Sequence, residues 1–186
     1  MKPINTLLTI LFISLLSSPS WSETIDDLVE REGLYYQKFA DVPFTGEVTG
    51  GEQGSFKNGV KDGAWVSYHK NGQLFSKGNY KNGKAEGAWV YYNRNGQLFR
   101  KSNYKDGKVK GVYVSYYDNG QLWEKGNFKN IKKEGAWVSY YDNGQLMGKG
   151  NRKSGKKDGA WVSYNEDGTV FKPWTGTFKS GVKISD

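Results

Sequence analysis

The sequence predicts an all-β protein, an elongated and twisted antiparallel sheet of tandem β-hairpin repeats behind a short helical or irregular N-terminal lead. Three observations predict it. A 24-residue period runs through most of the 186-residue chain. Each period holds β-branched and aromatic segments separated by glycine-bearing turns. Beyond the first 20 residues aliphatic side chains are too sparse for a helical bundle, whereas 25 glycines and an aromatic content of 16% suit many short strands. The 13 tyrosines and 7 tryptophans also argue against disorder, which a low mean hydropathy alone would allow.

The period is read from Gly-Ala-Trp-Val at Gly63, Gly87, Gly135 and Gly159, and from Gly-Val-Tyr-Val at Gly111. The ring at the third position is Trp65, Trp89, Tyr113, Trp137 and Trp161, and a second ring follows at Tyr68, Tyr92, Tyr116, Tyr140 and Tyr164. Trp-Val-Ser-Tyr-Tyr and its variants read as one strand. An Asn-Gly pair (Asn71-Gly72, Asn95-Gly96, Asn119-Gly120, Asn143-Gly144), or Asp167-Gly168, supplies the positive φ expected of a tight hairpin. Gln-Leu-Phe/Trp-x-Lys-Gly-Asn-Tyr/Phe reads as the return strand, and Lys81-Asn82-Gly83-Lys84 with its equivalents as a second turn. Two later copies depart: Ile131 replaces the turn glycine and Arg152 replaces an aromatic. A lone hairpin is marginal in water, so the array is the folding unit.

Five full units start at Gly63. Half-units at 54–61 and 176–183 read as caps of the repeat array, which is assigned to residues 46–186. The lead, 23–45, is expected to hold one or two helical turns from an N-cap at Thr24 to Gly33, and a degenerate hairpin from Leu34-Tyr35-Tyr36 and Phe44 to Val48. Ahead of it, Lys2, the apolar run Leu7 to Leu16 and the small residues Ser20 and Ser22 have the layout of a secretory signal peptide over 1–22, cut before Glu23. The run is shorter than the roughly 20 apolar residues that a spanning helix needs. The expected location is therefore exported: periplasm or cell envelope. With no cysteine, stability in an oxidising compartment must come from packing alone. Without Lys2 the chain keeps 26 Lys and Arg against 19 Asp and Glu, a net charge of +7, compatible with an anionic partner.

The pattern Gly-x-Trp-x-x-Tyr-Tyr-x-Asn-Gly-Gln-Leu, followed by Lys-Gly-x-Tyr/Phe-Lys-Asn-Gly-Lys, resembles the MORN repeat variant over about residues 33–186, with Gly33-Leu34-Tyr35-Tyr36 and Val42-Pro43-Phe44-Thr45-Gly46 resembling the lead of bacterial members. The resemblance implies a β-hairpin sheet. It also implies membrane, phospholipid or protein contact and brings no shared catalytic residue. Bacterial chains of this kind are often labelled toxin–antitoxin antitoxins of the YwqK type.

No enzyme chemistry is expected. The single histidine, His69, has no nucleophile or ligand set beside it and reads as a strand-end residue. Asp118, Asp142, Glu124 and Glu134 sit next to turns, where turn propensity explains Asp without catalysis, and the glycines lack the following helix of a phosphate-binding loop. No catalytic, cofactor or metal residue is assigned. The candidate binding surface is a lysine ladder: Lys77, Lys101, Lys125 and Lys149, then Lys81, Lys105, Lys129 and Lys153, then Lys84, Lys108, Lys132 and Lys156. In a regular sheet each row is a line of charges about 10 Å apart, which suits anionic lipid or an acidic envelope polymer and also guards the sheet against aggregation. Trp65, Trp89, Tyr113, Trp137 and Trp161 read as the structural aromatic ladder, with Phe75, Phe99 and Trp123 on the return strands. The leading functional expectation is a non-catalytic repeat protein that binds a protein partner or an anionic surface; no nucleic acid is expected. An antitoxin or immunity protein and a cell-wall glycan binder are the rivals. The latter rests on choline-binding repeats, which mix similar residues at a shorter period.

Overall fold

A computed structural model describes residues 22–186; the expected signal peptide and its apolar run lie outside the described residues, save Ser22. Sixteen strands follow in order. The lead and first units hold β1 (Glu23–Thr24), β2 (Leu28–Arg31), β3 (Leu34–Gln37), β4 (Gly46–Thr49), β5 (Glu52–Lys57) and β6 (Val60–Tyr68). The middle holds β7 (Leu74–Lys81), β8 (Lys84–Tyr92), β9 (Leu98–Lys105), β10 (Lys108–Tyr116) and β11 (Leu122–Lys129). The end holds β12 (Lys132–Tyr140), β13 (Leu146–Lys153), β14 (Lys156–Ser163), β15 (Gly176–Lys179) and β16 (Val182–Ser185). Fourteen of these make one sheet, in the order β1-β4-β5 and then consecutively to β16. All its pairings are antiparallel except β1 with β4, so the sheet is mixed where an antiparallel one was expected.

The lead also departs from expectation. Thr24 does cap a turn, its hydroxyl and backbone N–H both donating to Asp27 Oδ2 at 2.7 and 2.9 Å. That turn is only the 3₁₀ segment Ile25–Asp27, and Leu28–Arg31 is already strand. β2 pairs with β3 in a separate two-stranded sheet, so Leu34–Gln37 joins the chain before it, and its expected pairing with the Phe44 segment is reduced to one antiparallel bridge, Tyr36 with Pro43, where Phe44 N–H donates to Tyr35 C=O at 2.8 Å. Hydrophobic burial explains the change: Leu28, Tyr35 and Phe44 pack on Phe56 and Trp65 and cover that end of the array.

Each unit has two different turns. At the second, both central residues have positive φ, as in Asn82 (49°) and Gly83 (75°), with Lys81 directly opposite Lys84. This is the two-residue turn whose twist matches the strands. The Asn-Gly site works otherwise, correcting the sequence reading. Only the glycine has positive φ; His69 N–H donates to Gln73 C=O and Gly72 N–H to His69 C=O, at 2.8 and 2.9 Å, forming a longer loop. Asn71 sits there because its Oδ1 accepts the N–H of Gln73, while its Nδ2 donates to Arg94 C=O of the next unit at 2.8 Å. Asn119 and Asn143 repeat both bonds. His69, Tyr117 and Tyr141 add a parallel row of links, donating to the C=O of Tyr92, Tyr140 and Tyr164. Among the described residues no unit follows the last such loop, and there Asp167 accepts from Thr169. The fifth unit is completed by β15 after a 3₁₀ turn, Lys172–Trp174.

The turn Asn130-Ile131 places a β-branched residue at φ 60°, where every equivalent turn has glycine. The left-handed region costs an L-residue about 1–2 kcal/mol. Ile131 is exposed, so little packing is lost on its removal. Ile131→Gly is expected to stabilise the protein by about 1 kcal/mol, less the entropy glycine adds to the unfolded chain, read as a higher denaturant midpoint at unchanged slope.

Candidate binding faces

The Gly-Ala-Trp signature is a glycine-led bulge. Between Asn79↔Glu86 and Lys77↔Val90, three residues (Gly87, Ala88, Trp89) stand opposite Gly78 alone. Gly87 has φ 71° with open space around the position of a Cβ, so conformation and not room demands glycine there. The bulge swings the Trp89 ring over Gly78, where a Cβ would fall well inside 3.0 Å of ring atoms. Gly54 under Trp65, Gly126 under Trp137 and Gly150 under Trp161 repeat the contact. Each of the first three rings also donates its Nε1–H to a carbonyl of the preceding strand, at 3.1–3.2 Å to Ser55, Asn79 and Asn127. The four tryptophans are 3–7% exposed, and edge-on contacts with Phe56, Tyr80 and Phe128 extend the row. The aromatic ladder is therefore core and is not available as a sugar platform.

The middle unit differs at both partners. Ser102 stands where the others have glycine, and the residue opposite it is Tyr113. A side chain on the floor leaves no room for an indole, so the smaller ring goes with the larger floor residue. The Ser102 hydroxyl is left buried without a hydrogen-bond partner, and the core divides into a cluster around Phe56, Trp65 and Trp89 and another around Trp137, Trp161 and Phe178.

The opposite face carries the first lysine row. Val66 pairs with Lys77, Lys77 with Val90, Val90 with Lys101, and so on to Val162, so valine and lysine alternate strand by strand. Lys77, Lys101, Lys125 and Lys149 are exposed and the valines half-buried between them. Over the last units this face is concave, a groove of about 880 Å³ lined by Val114, Lys125, Val138, Lys149, Val162 and Thr177 among others. The sequence reading listed the lysines but missed the valines between them, although the paired strand register would have revealed them.

The second and third lysine rows lie elsewhere, at the two-residue turns, where Lys81 faces Lys84, Lys105 faces Lys108, Lys129 faces Lys132 and Lys153 faces Lys156. Lys105 is bound to Glu86 at 2.8 Å, which holds the ammonium pKa up and the carboxyl down. Carboxylates at the start of four of the five units act on these turns: Asp62, Glu86, Glu134 and Asp158 accept the turn N–H of Asn82, Asp106, Ser154 and Ser180, and the middle unit has Lys110 at that position. Glu134 is thus a strand residue bonded to the next turn, and Glu124 is a strand residue paired with Lys133 at 2.5 Å. No group of three or more His, Asp or Glu side chains is placed to hold a metal ion among the described residues.

On the Trp face, Lys61 lies 4.0 Å over the Trp65 ring and pairs with Glu52; Lys133 lies 4.2 Å over Trp137 and pairs with Glu124. Lys157 lies over Trp161 but has no carboxylate, and burial together with the Arg152 charge pulls its pKa down to about 8. A depressed lysine pKa opposes folding while the group is charged. That penalty is complete below pH 8 and is relieved as pH rises towards 10.5.

The family model described as MORN repeat variant matches residues 61–82, 85–106, 109–130 and 133–154. No curated protein matches the chain. Among solved structures the chain is matched to a chain of a GtfA/B complex bound to UDP and GlcNAc, at 13% identity and a TM-score of 0.20, over 77% of this chain. This chain spans 28% of that one. A score so low carries no functional argument.

Three outcomes follow from the geometry. Gly78→Ala is expected to cost several kcal/mol, on the order of a core overpacking change or more, in chemical denaturation. Tyr113→Trp and Ser102→Gly are expected to couple: the first alone destabilises, while together they exceed the sum of the single changes by about 1–3 kcal/mol in a double-mutant cycle. Lys157→Met is expected to raise the melting temperature relative to the unaltered protein more at pH 7 than at pH 10.5.

Proposed function

Because the chain belongs to the MORN repeat variant family, whose repeats are generally protein- or lipid-binding and typically non-catalytic, we propose that it is an exported binding protein of the periplasm or cell envelope which presents its valine–lysine face to a protein partner or an anionic surface. The observation that carries this reading is the face itself. Half-buried valines in the groove supply apolar contact, and the lysines between them set the sign of the partner. The Trp face cannot serve in the same way, because its rings are spent on one another and on the glycines beneath them.

The concave shape favours an extended or convex partner over a flat bilayer. A cell-wall glycan draws no support from the Trp65, Trp89, Trp137 and Trp161 row, whose rings are buried; among the described residues the exposed tryptophans are Trp123 on β11 and Trp174 in the 3₁₀ turn, outside that row. An antitoxin or immunity role is a special case of protein binding and, given the expected export, would act outside the cytoplasm.

Affinity capture of the tagged protein from fractionated cells tests both parts. Recovery from the periplasmic fraction, with processing before Glu23, is expected; recovery only from cytoplasm would sink the export claim. Converting Lys77, Lys101, Lys125 and Lys149 together to Gln is expected to abolish salt-sensitive capture of the partner, or retention on anionic vesicles, while the circular dichroism spectrum stays unchanged. Retention of both by this variant would rule the face out.

A further inference from the structure

Two of the three units that place a lysine over their tryptophan also supply a glutamate nine residues earlier: Glu52 with Lys61 and Glu124 with Lys133. The unit of Trp161 keeps the lysine, as Lys157, without that glutamate. The position of Glu52 and Glu124 is Gly148, and the position held by Phe56, Tyr80, Tyr104 and Phe128 is Arg152. Arg152 and Lys157 stand directly opposite each other across β13 and β14, with both cationic groups over the Trp161 ring at 4.9 and 4.8 Å. Like charges so placed repel, and neither forms a salt bridge among the described residues.

The space left by the missing glutamate is a cavity of about 280 Å³, walled by Tyr141, Met147, Trp161 and Trp174 and open to Arg152 and Lys157. Arg152 spends Nη1 on Gly155 C=O at 2.8 Å, and Lys157 spends one donor on Trp174 C=O at 3.2 Å. Donors remain on both. We infer that this cavity is a binding site for a carboxylate, taken from a small organic acid or from an acidic side chain of a peptide, whose carboxyl group replaces the absent glutamate between Arg152 and Lys157 and whose apolar body rests against Met147 and Trp174. A guanidinium beside an ammonium suits a planar carboxylate, which accepts two parallel N–H bonds from arginine. The cavity volume matches the lower end of small-ligand pockets. Burial first and the Arg152 charge second hold the Lys157 pKa down, and an anion between the two cations would oppose the second of these. The site lies on the Trp face and is independent of the valine–lysine face.

The test is titration of the intact protein with phenylacetate and, at equal ionic strength, with its neutral isostere phenylacetamide, following the Trp161 indole N–H by NMR. A second arm uses the blocked peptide acetyl-Ala-Glu-Ala-amide. Saturable shifts with phenylacetate or with the peptide, absent with phenylacetamide, support the site, and whichever of the two binds identifies the source of the carboxylate. Arg152→Phe restores the aromatic present in the preceding unit and is expected to fold; it and Lys157→Met should each weaken binding about tenfold or more. Equal shifts with phenylacetamide, no saturable shift with any of the probes, or undiminished binding in both variants would overturn the proposal.

Discussion

An indole ring laid flat on a glycine of the neighbouring strand is the contact on which the array depends. It makes three demands at once. The floor must lack a side chain, as at Gly54, Gly78, Gly126 and Gly150. The strand carrying the ring must bulge to bring it over, which sets glycine at Gly63, Gly87, Gly135 and Gly159 in a left-handed conformation. The ring must find a hydrogen-bond acceptor, and the exposed carbonyl beside the bulge supplies it. Because floor and ring belong to successive units, no unit completes its core alone. A chain with no disulfide is thereby held together by a contact of fixed geometry repeated along it, each ring contributing on the order of 3–5 kcal/mol if judged by truncation to alanine.

Much of this was legible in the sequence, for a physical reason. A repeat displays the same constraints several times, so the 24-residue period, the strand segments and the core role of Trp65, Trp89, Trp137 and Trp161 emerged from spacing alone. What stayed hidden depended on register. Alternation separates Trp89 from Val90, but only the pairing across strands reveals that valine and lysine share a row. The Asn-Gly pair looked like the tighter turn because its composition fits one; a hydrogen bond from Gly72 back to His69 and the reach of Asn71 to the next unit decide otherwise. The lead was misread as helical because Thr24 and Asp27 do form a capping pair, while Leu28, drawn into the aromatic cluster, turns the chain to strand one residue later.

Departures from the repeat are as informative as the repeat. Ser102 and Tyr113 are changed together, so the exchange is a matched one at the price of one buried, unpartnered hydroxyl, that of Ser102. Gly148 and Arg152 are changed together as well, but there no carboxylate pairs with either cation among the described residues, only the Glu124 charge reaches Arg152 from two strands away, and two cations face one cavity. The first departure is explained within the fold and the second requires something outside it, which separates structural drift from a site.

The divided core also bears on how the molecule comes apart. In an array stabilised between nearest neighbours, cooperativity is only as long-ranged as its weakest junction. Phe56, Trp65 and Trp89 form one block and Trp137, Trp161 and Phe178 another, joined through a ring that is only half-buried. The sheet is continuous in hydrogen bonds yet discontinuous in packing. The junction at Tyr113 is therefore where local opening is expected to part the two blocks.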